Sequence, residues 1–324
     1  MFSLALYVTS TGGWIAAARN GTAAEMDVFK RFGGAMQATL EWWEQSPQRE
    51  NTTGLHVWHD QMQTGADDLV TSKCTSPYSI FCWREKEDAF MLASTDLHVF
   101  LSREYKAFAN FNKAWASAST SDEGERKRLL DTAAKAEARS EEILATMHKF
   151  MWDEANGVYT AYNVKTKTPI RNRVFLMGLP LWTKYPTSDQ ATRIAKQLMS
   201  EDMLSSWGIR STSSKDPRYE NQNRIIPYSN WRGPVWTNAN AMITLGMAAY
   251  PALKTKAQAI ANTLVGVGAR TLLAHALRRF LQTTNSCVMS RDVLFSCSLY
   301  SWTTDLCSGQ RSPRLRNLAR VPKL

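Results

Sequence analysis

The chain has 324 residues, 44% hydrophobic and 21% charged, which is enough apolar material for one large domain or two ordinary ones and too much for intrinsic disorder. Its net charge of +10 and pI near 9.4 would suit a polyanion only if the charge lay on one folded face, and no run approaches the roughly 20 apolar residues of a membrane span. Twelve Trp are more than packing asks for, because a buried indole N–H needs a partner, and they point to a surface that stacks sugars or bases.

The opening MFSLALYVTSTGGWIAAARNG has a short apolar stretch with no basic segment before it. It reads as part of a helix and not as a signal peptide, which leaves the cytoplasm as the default compartment. From Asp27 to Trp43, the residues Phe29, Phe32, Met36 and Leu40 recur at three- and four-residue steps, the stripe of a helix with one buried face. The stripe returns between Glu87 and Trp115 through Phe90, Leu97, Phe100, Leu101, Tyr105, Phe108 and Phe111, predicting a long core-facing helix. Ser121-Asp122-Glu123 opens a charged, Ala-rich helix that runs to about Met151. Asp153 to Gly157 is a turn, and Val158 to Tyr162 alternates like a short strand. Further helices are expected from Ser188, as a cap, to Met203, from Trp236 to Ala249, and from Lys254 to about Phe280. Six or seven helices, separated by irregular segments that hold nearly all the Trp, predict an all-α toroid with short β-hairpins and a site built from its loops.

The C-terminal part has a different composition. From Pro251 onward there are 11 Lys and Arg against Asp292 and Asp305, a charge of +9, which leaves +1 for the first 250 residues. No Glu follows Glu220, and Cys287, Cys297 and Cys307 are three of the five cysteines. Beyond about Gln282 neither a period nor caps are visible. The expected organisation is a domain over residues 1–282 and an atypical basic tail over 283–324, disordered or out of frame. With the first 250 residues nearly neutral, no nucleic-acid partner is expected. Five cysteines without a C-x-x-C pair make neither a disulfide framework nor a zinc site.

Two loops can carry chemistry. The first, from Gly54 to Leu69, holds Trp58, able to stack on a sugar face, and His59, Asp60 and Gln61, able to bond hydroxyls. After Gly65 come the adjacent carboxyls Asp67 and Asp68. Adjacent like charges raise one pKa, as a general acid near neutral pH requires; the same pair can also cap a helix N-terminus. His56, His59 and Asp60 lack a third ligand at usable spacing, so neither a metal nor a cofactor is expected. His98 and His148 fall on helical faces and read as structural. The second loop, from Tyr219 to Asn238, contains Asn230, Trp231, Arg232, Gly233, Pro234 and Trp236. It is either a rigid amphipathic wall or a buried Trp pair with Arg232 stacked between the rings.

Asn230-Trp231-Arg232-Gly233-Pro234-Val235-Trp236 and Gln63-Thr64-Gly65-Ala66-Asp67-Asp68, about 160 residues apart, together resemble two motifs of the (α/α)6-barrel, or six-hairpin, glycoside hydrolases. That family includes mannosylglycerate hydrolase, processing α-glucosidase I and, more distantly, trehalase. In it an N-W-R-G-P-[IV]-W loop lines the sugar pocket and an [EQ]-S-G-x-D loop carries the general acid; Thr64 stands here for the family Ser. Weaker likenesses are Trp152-Asp153-Glu154 through Tyr159, and Trp207-Gly208-Ile209-Arg210-Ser211 through Asp216-Pro217. The resemblance covers residues 2–280.

The resemblance implies hydrolysis of an α-glycosidic bond with inversion, Asp67 being the general acid and Asp68 modulating it or touching substrate. Trp58, His59, Asp60, Gln61, Asn230, Trp231, Arg232, Gly233 and Trp236 would form the pocket for a small glycoside or oligosaccharide. Arg232 suits a carboxylate-bearing aglycone such as glycerate, because its fork matches that group. Inversion also needs a second carboxylate, about 6.5–9.5 Å from the first, to activate water. The family carries it as a Glu in a C-terminal segment shaped H-E-x-[YF]-[DN]-x-x-[TS]-G-E, and this sequence has no such segment; Glu220 and Asp292 are the stand-ins. Either the reading frame leaves the family pattern near residues 270–285, through a frameshift or an unspliced intron, or the protein is an inactive paralogue that keeps a sugar pocket without a base. In the first case the chain, which begins inside an early barrel helix, is a fragment with an incomplete toroid.

Overall fold

The computed structural model describes residues 23–58, 62–66, 69–71, 92–118, 122–222 and 230–266. The chain divides between Thr284 and Asn285, and every described residue belongs to the first unit.

Phe32, Met36, Leu40 and Trp43 give α1 (Ala23–Trp43) its inward face, as their spacing implies. Two further helices, α2 (Thr95–Ala118) and α3 (Glu123–Met151), form an antiparallel hairpin laced by Lys106–Glu141 (2.8 Å) and Lys113–Glu137 (2.6 Å). The start of α3 is set by Asp122, whose side chain accepts from Glu125 N (3.1 Å), and Glu123 and Glu125 complement the positive end of the helix dipole. The helix expected from Glu87 begins only at Thr95. Leu92 and Ala93 instead form β1, because they find strand partners in Asn163 and Tyr162. Residues 87–91 lie outside the described part.

Past α3 the chain makes short antiparallel pairs. The first, β2 (Trp152–Asp153) with β3 (Val158–Tyr159), turns through Gly157 at φ +66°. The strands β4 (Ala161–Asn163) and β5 (Thr168–Ile170) join β1 in a sheet of order β1-β4-β5. A 3₁₀ helix then covers Phe175–Thr183. Periodicity does not reveal it, since FLMGLPLWT is apolar all round, and Pro180 removes a backbone donor. Phe175 to Leu181 are all buried, wedged against α2, α4 (Ser188–Leu198) and α5 (Thr237–Ala248). The cap of α4 is Thr187 and not Ser188: its side chain accepts from Gln190 N (3.2 Å) and Gln190 Oε1 accepts from Thr187 N (2.9 Å), a reciprocal capping box. On α5, Gly246 faces the 3₁₀ helix so closely that a Cβ there would stand 2.5 Å from Trp182 N. A third pair, β6 (Leu204–Ser205) with β7 (Gly208–Ile209), precedes α5, and Pro251–Leu253 leads into helix at 254–266.

The core has two parts. One lies between α1, α2 and α3 and contains Trp43, Trp58, Phe108, Phe111 and Ile143. The other joins the end of α3 to the 3₁₀ helix, α4 and α5 through Met147, Met151, Leu179, Leu198 and Ile243. Each large apolar side chain buried this way contributes roughly 1.5–3 kcal/mol. Where α1 ends, Glu44 ties the three helices together: it accepts from Tyr105 Oη (2.7 Å) and from Arg139 Nε (2.9 Å) and Nη2 (2.8 Å). Among the described residues no helix is long and apolar enough to cross a membrane.

Candidate functional site

The loop at 230–236 is woven onto its neighbours by backbone and side-chain bonds. Ser211 N donates to Pro234 O (3.0 Å), Gly233 N to Ser211 Oγ (3.0 Å), Thr212 Oγ1 to Trp231 O (2.9 Å) and Glu220 N to Arg232 O (2.9 Å). Asn230 bolts the loop from within. Its Nδ2 donates to Glu220 O (3.1 Å) and Gln222 O (2.7 Å), its Oδ1 accepts from Arg232 N (2.8 Å), and its carbonyl accepts from Trp236 Nε1 (2.9 Å). At 5% exposure the Asn230 amide is committed to the loop. Gly233 has no side chain for a steric reason: a Cβ would stand 2.7 Å from both Glu220 O and the Tyr219 ring.

Trp231 and Trp236 stack on each other with centroids 4.0 Å apart and planes 4° from parallel, and the Phe175 ring packs on Trp231 at 5.3 Å. That spacing leaves no room for a guanidinium, so Arg232 is not sandwiched between the two indoles. Trp231 is buried, whereas Arg232, Pro234, Val235 and Trp236 are half-buried, and of these Arg232 and Trp236 bring a charged fork and an aromatic face to the surface.

The first loop is seen through the residues that frame its chemistry. His56 N donates to His98 Nε2 (3.1 Å), Val57 N to Gln48 O (2.8 Å) and Trp58 N to Leu92 O (3.3 Å), which pins residues 56–58 against the start of α2. Trp58 is buried, edge-on to Trp43 at 5.6 Å, and its Nε1 donates to Ser94 Oγ (2.8 Å), with Asp96 Oδ1 farther off at 3.4 Å. Gly65 turns the chain at φ +69°, in the left-handed region that favours glycine. Ala66 N then donates to Thr64 Oγ1 (2.9 Å) and Leu69 N to Ala66 O (3.0 Å). His59, Asp60, Gln61, Asp67 and Asp68 lie outside the described residues.

One short segment gathers the two loops. Asn172 Nδ2 donates to Val70 O (2.6 Å), Phe175 packs on Trp231, and Leu176 O accepts from Thr95 Oγ1 (2.8 Å) at the start of α2. Residues 172–176 therefore touch the described end of the carboxylate loop, the tryptophan loop and the α2 N-terminus.

Three buried titratable groups, His56, Asp96 and His98, lie on the first-loop side. Burial pushes the Asp96 carboxyl up, against bonds from Ser94, Leu97 N (2.8 Å) and Trp58. Burial, helped by the neighbouring His56, pushes His98 down to about 3. Its Nδ1 donates to Ser94 O (2.7 Å) because Nε2 must accept from His56 N, a neutral tautomer. His56 is also pushed down by burial, and its Nε2 stands 3.6 Å from Glu44 Oε1. Burial would raise the Glu44 carboxyl, but His56, Arg139 and Tyr105 together hold it well below the usual carboxylate range. His148 Nδ1 pairs with Tyr159 Oη (2.9 Å) and its ring stacks on Trp152 at 5.8 Å. Sequence reasoning overlooks Ser94, Thr95 and Asp96, all under 5% exposed, because three small polar residues at a helix start look like an ordinary cap.

Residues 13–285 match the family described as the mannosylglycerate hydrolase MGH1-like glycoside hydrolase domain. The mannosylglycerate hydrolase of Thermus thermophilus is 28% identical over 115 residues, 34% of this chain and 26% of that protein. The chain thus spans about a quarter of that relative's length. Among solved structures, the neutral trehalase Nth1 of Saccharomyces cerevisiae superposes with a TM-score of 0.58 at 19% identity, over 84% of this chain and 55% of that one. An uncharacterized conserved protein from Thermus thermophilus gives 0.52 at 19% identity, over 79% and 67%. The fold is that of the (α/α)6 glycosidases, with short β-hairpins between the helices.

Proposed function

Because this chain belongs to the mannosylglycerate hydrolase MGH1-like glycoside hydrolase family, we propose that it binds a small α-linked glycoside or oligosaccharide between its two loops and that Asp67 protonates the glycosidic oxygen. Mannosylglycerate is the first substrate to try. The observation that carries the reading is the common anchorage of both loops on residues 172–176, with Val70 held by Asn172 and Trp231 packed on Phe175. Asp67 and Arg232 are three and one residues from these anchor points. In this reading Trp236 and Arg232 present the open wall, Arg232 for the aglycone carboxylate. Asn230, Trp231 and Gly233 shape that wall, Trp58 closes the opposite side, and His59, Asp60, Gln61 and Asp68 supply hydroxyl contacts.

Inversion needs a carboxylate on the far face of the sugar ring to activate water. In this sequence Glu220 and Asp292 are the candidates for that role. Asp292 lies outside the described residues. Glu220 is bonded through its own N–H to Arg232 O and stands beside the wall. The same composition favours a second reading, a paralogue that holds sugar without hydrolysing it.

The test is proton NMR of mannosylglycerate incubated with the full chain. Release of β-mannose first, with Asp67→Asn slower by roughly 100- to 10,000-fold, is the expected result. An unchanged rate in Asp67→Asn removes Asp67 as the acid, and α-mannose as first product removes inversion. Saturable binding without turnover selects the second reading, and neither binding nor turnover overturns both.

A further inference from the structure

We propose that Asp96 is a positioning residue, which acts through Ser94 to set the orientation of the Trp58 indole. Its relevance to sugar binding rests on the reading of Trp58 as part of the pocket; the geometry stands without it. An indole N–H can only donate, so at the 2.8 Å contact Ser94 Oγ must accept from Trp58 Nε1. The Ser94 hydroxyl hydrogen is then free to point onward, and Asp96 Oδ1 receives it. The same oxygen accepts from Leu97 N (2.8 Å) and is approached by Trp58 Nε1 itself (3.4 Å). Every donor in the relay therefore points toward one carboxylate oxygen. Trp58 in turn touches Trp43 edge-on inside the cluster between α1, α2 and α3, and the N–H bond adds a directional restraint to that packing.

A carboxylate is an expensive way to make these bonds. Asp96 is 4% exposed, and among the described groups no cation is paired with it. A buried charge costs stability, and among the described residues its hydrogen bonds and the α2 N-terminus offset that cost. A neutral acceptor would cap the helix as well. The charge strengthens the hydrogen bonds, and the bond chain it terminates leads to Trp58. Thr95, between the two relay residues, donates to Leu176 O, so the turn that orients Trp58 is fixed to the segment that carries the Trp231 wall.

The experiment labels the full chain with 5-fluorotryptophan, assigns the Trp58 line by Trp58→Phe, and compares wild type with Asp96→Asn and Ser94→Ala. Both variants are expected to shift the Trp58 line while most other tryptophan lines stay in place. Asp96→Asn should leave the thermal midpoint unchanged or raised, because a buried charge is removed, and should weaken mannosylglycerate binding roughly three- to tenfold. A Trp58 line that stays put in both variants overturns the proposal. So does a lowered midpoint with all lines displaced together, which is the signature of a general structural brace. If wild type binds no mannosylglycerate, the functional reading fails, and the fluorine shifts still decide whether Asp96 orients Trp58.

Discussion

His98 sits where an imidazolium cannot. Its Nδ1–H is held by Ser94 O, its Nε2 accepts the His56 N–H, and the ring is sealed from water; protonation would set a donor against a donor. The unfolded chain takes up a proton near 6.5 while the folded chain refuses one until about 3. The native state therefore keeps this contribution above pH 6.5 and loses it as pH falls through that window. His98→Gln, whose Oε1 can accept the same N–H, should flatten the dependence of the urea midpoint on pH between 6.5 and 3. A slope identical to wild type would mean that His98 titrates normally. Glu44 adds to the acid limb in the same direction: its carboxyl is depressed in the fold, so its contribution is present above the ordinary carboxylate range and lost below it.

At the scale of elements, α4 offers a direct test of local design. Thr187→Ala removes one half of the capping box and should cost about 1 kcal/mol of stability by urea unfolding, whereas Ser188→Ala should cost little. Equal losses would show that the cap is shared. The sequence assigns this cap to the neighbouring residue because Ser and Thr are alike as N-caps, and only the Gln190 bond to Thr187 N decides between them. The long helices are legible because Met36, Leu40 and Trp43, or Leu129, Ala133, Ile143 and Met147, repeat at helical spacing. The 3₁₀ helix is not, since burial on all sides erases any period. Of the strands, the alternation from Val158 to Tyr162 is legible and corresponds to β3 and the start of β4; the others, of two or three residues, are too short to show alternation. The two motif loops stand out through Trp, Arg, Gly and Pro in a fixed order. The Ser94–Asp96 relay is invisible in one dimension because its partners, Trp58 and Leu176, lie 36 and 81 residues away.

For the whole molecule, residues 283–324 carry six Lys and Arg against Asp292 and Asp305, a charge of +4 suited to solubility and non-specific adhesion. We propose that residues 283–324 form a basic tail outside the sugar-binding domain. Deleting them should leave the thermal midpoint within a few degrees and abolish any retention on a DNA-affinity column. Unfolding on deletion would place those residues in the core.

The strands that bracket α2 and α3 have a kinetic consequence. Leu92 pairs with Asn163 and Ala93 with Tyr162, so the chain leaves the sheet, runs out along one helix, returns along the other and re-enters where it left. The intervening helices zip through contacts local to one hairpin, and by the time the strands meet most of the loop-closure entropy has already been met. The bracketed segment is thus one contiguous unit closed on itself, and its completion brings Ser94 and Asp96 to the place where Trp58 docks.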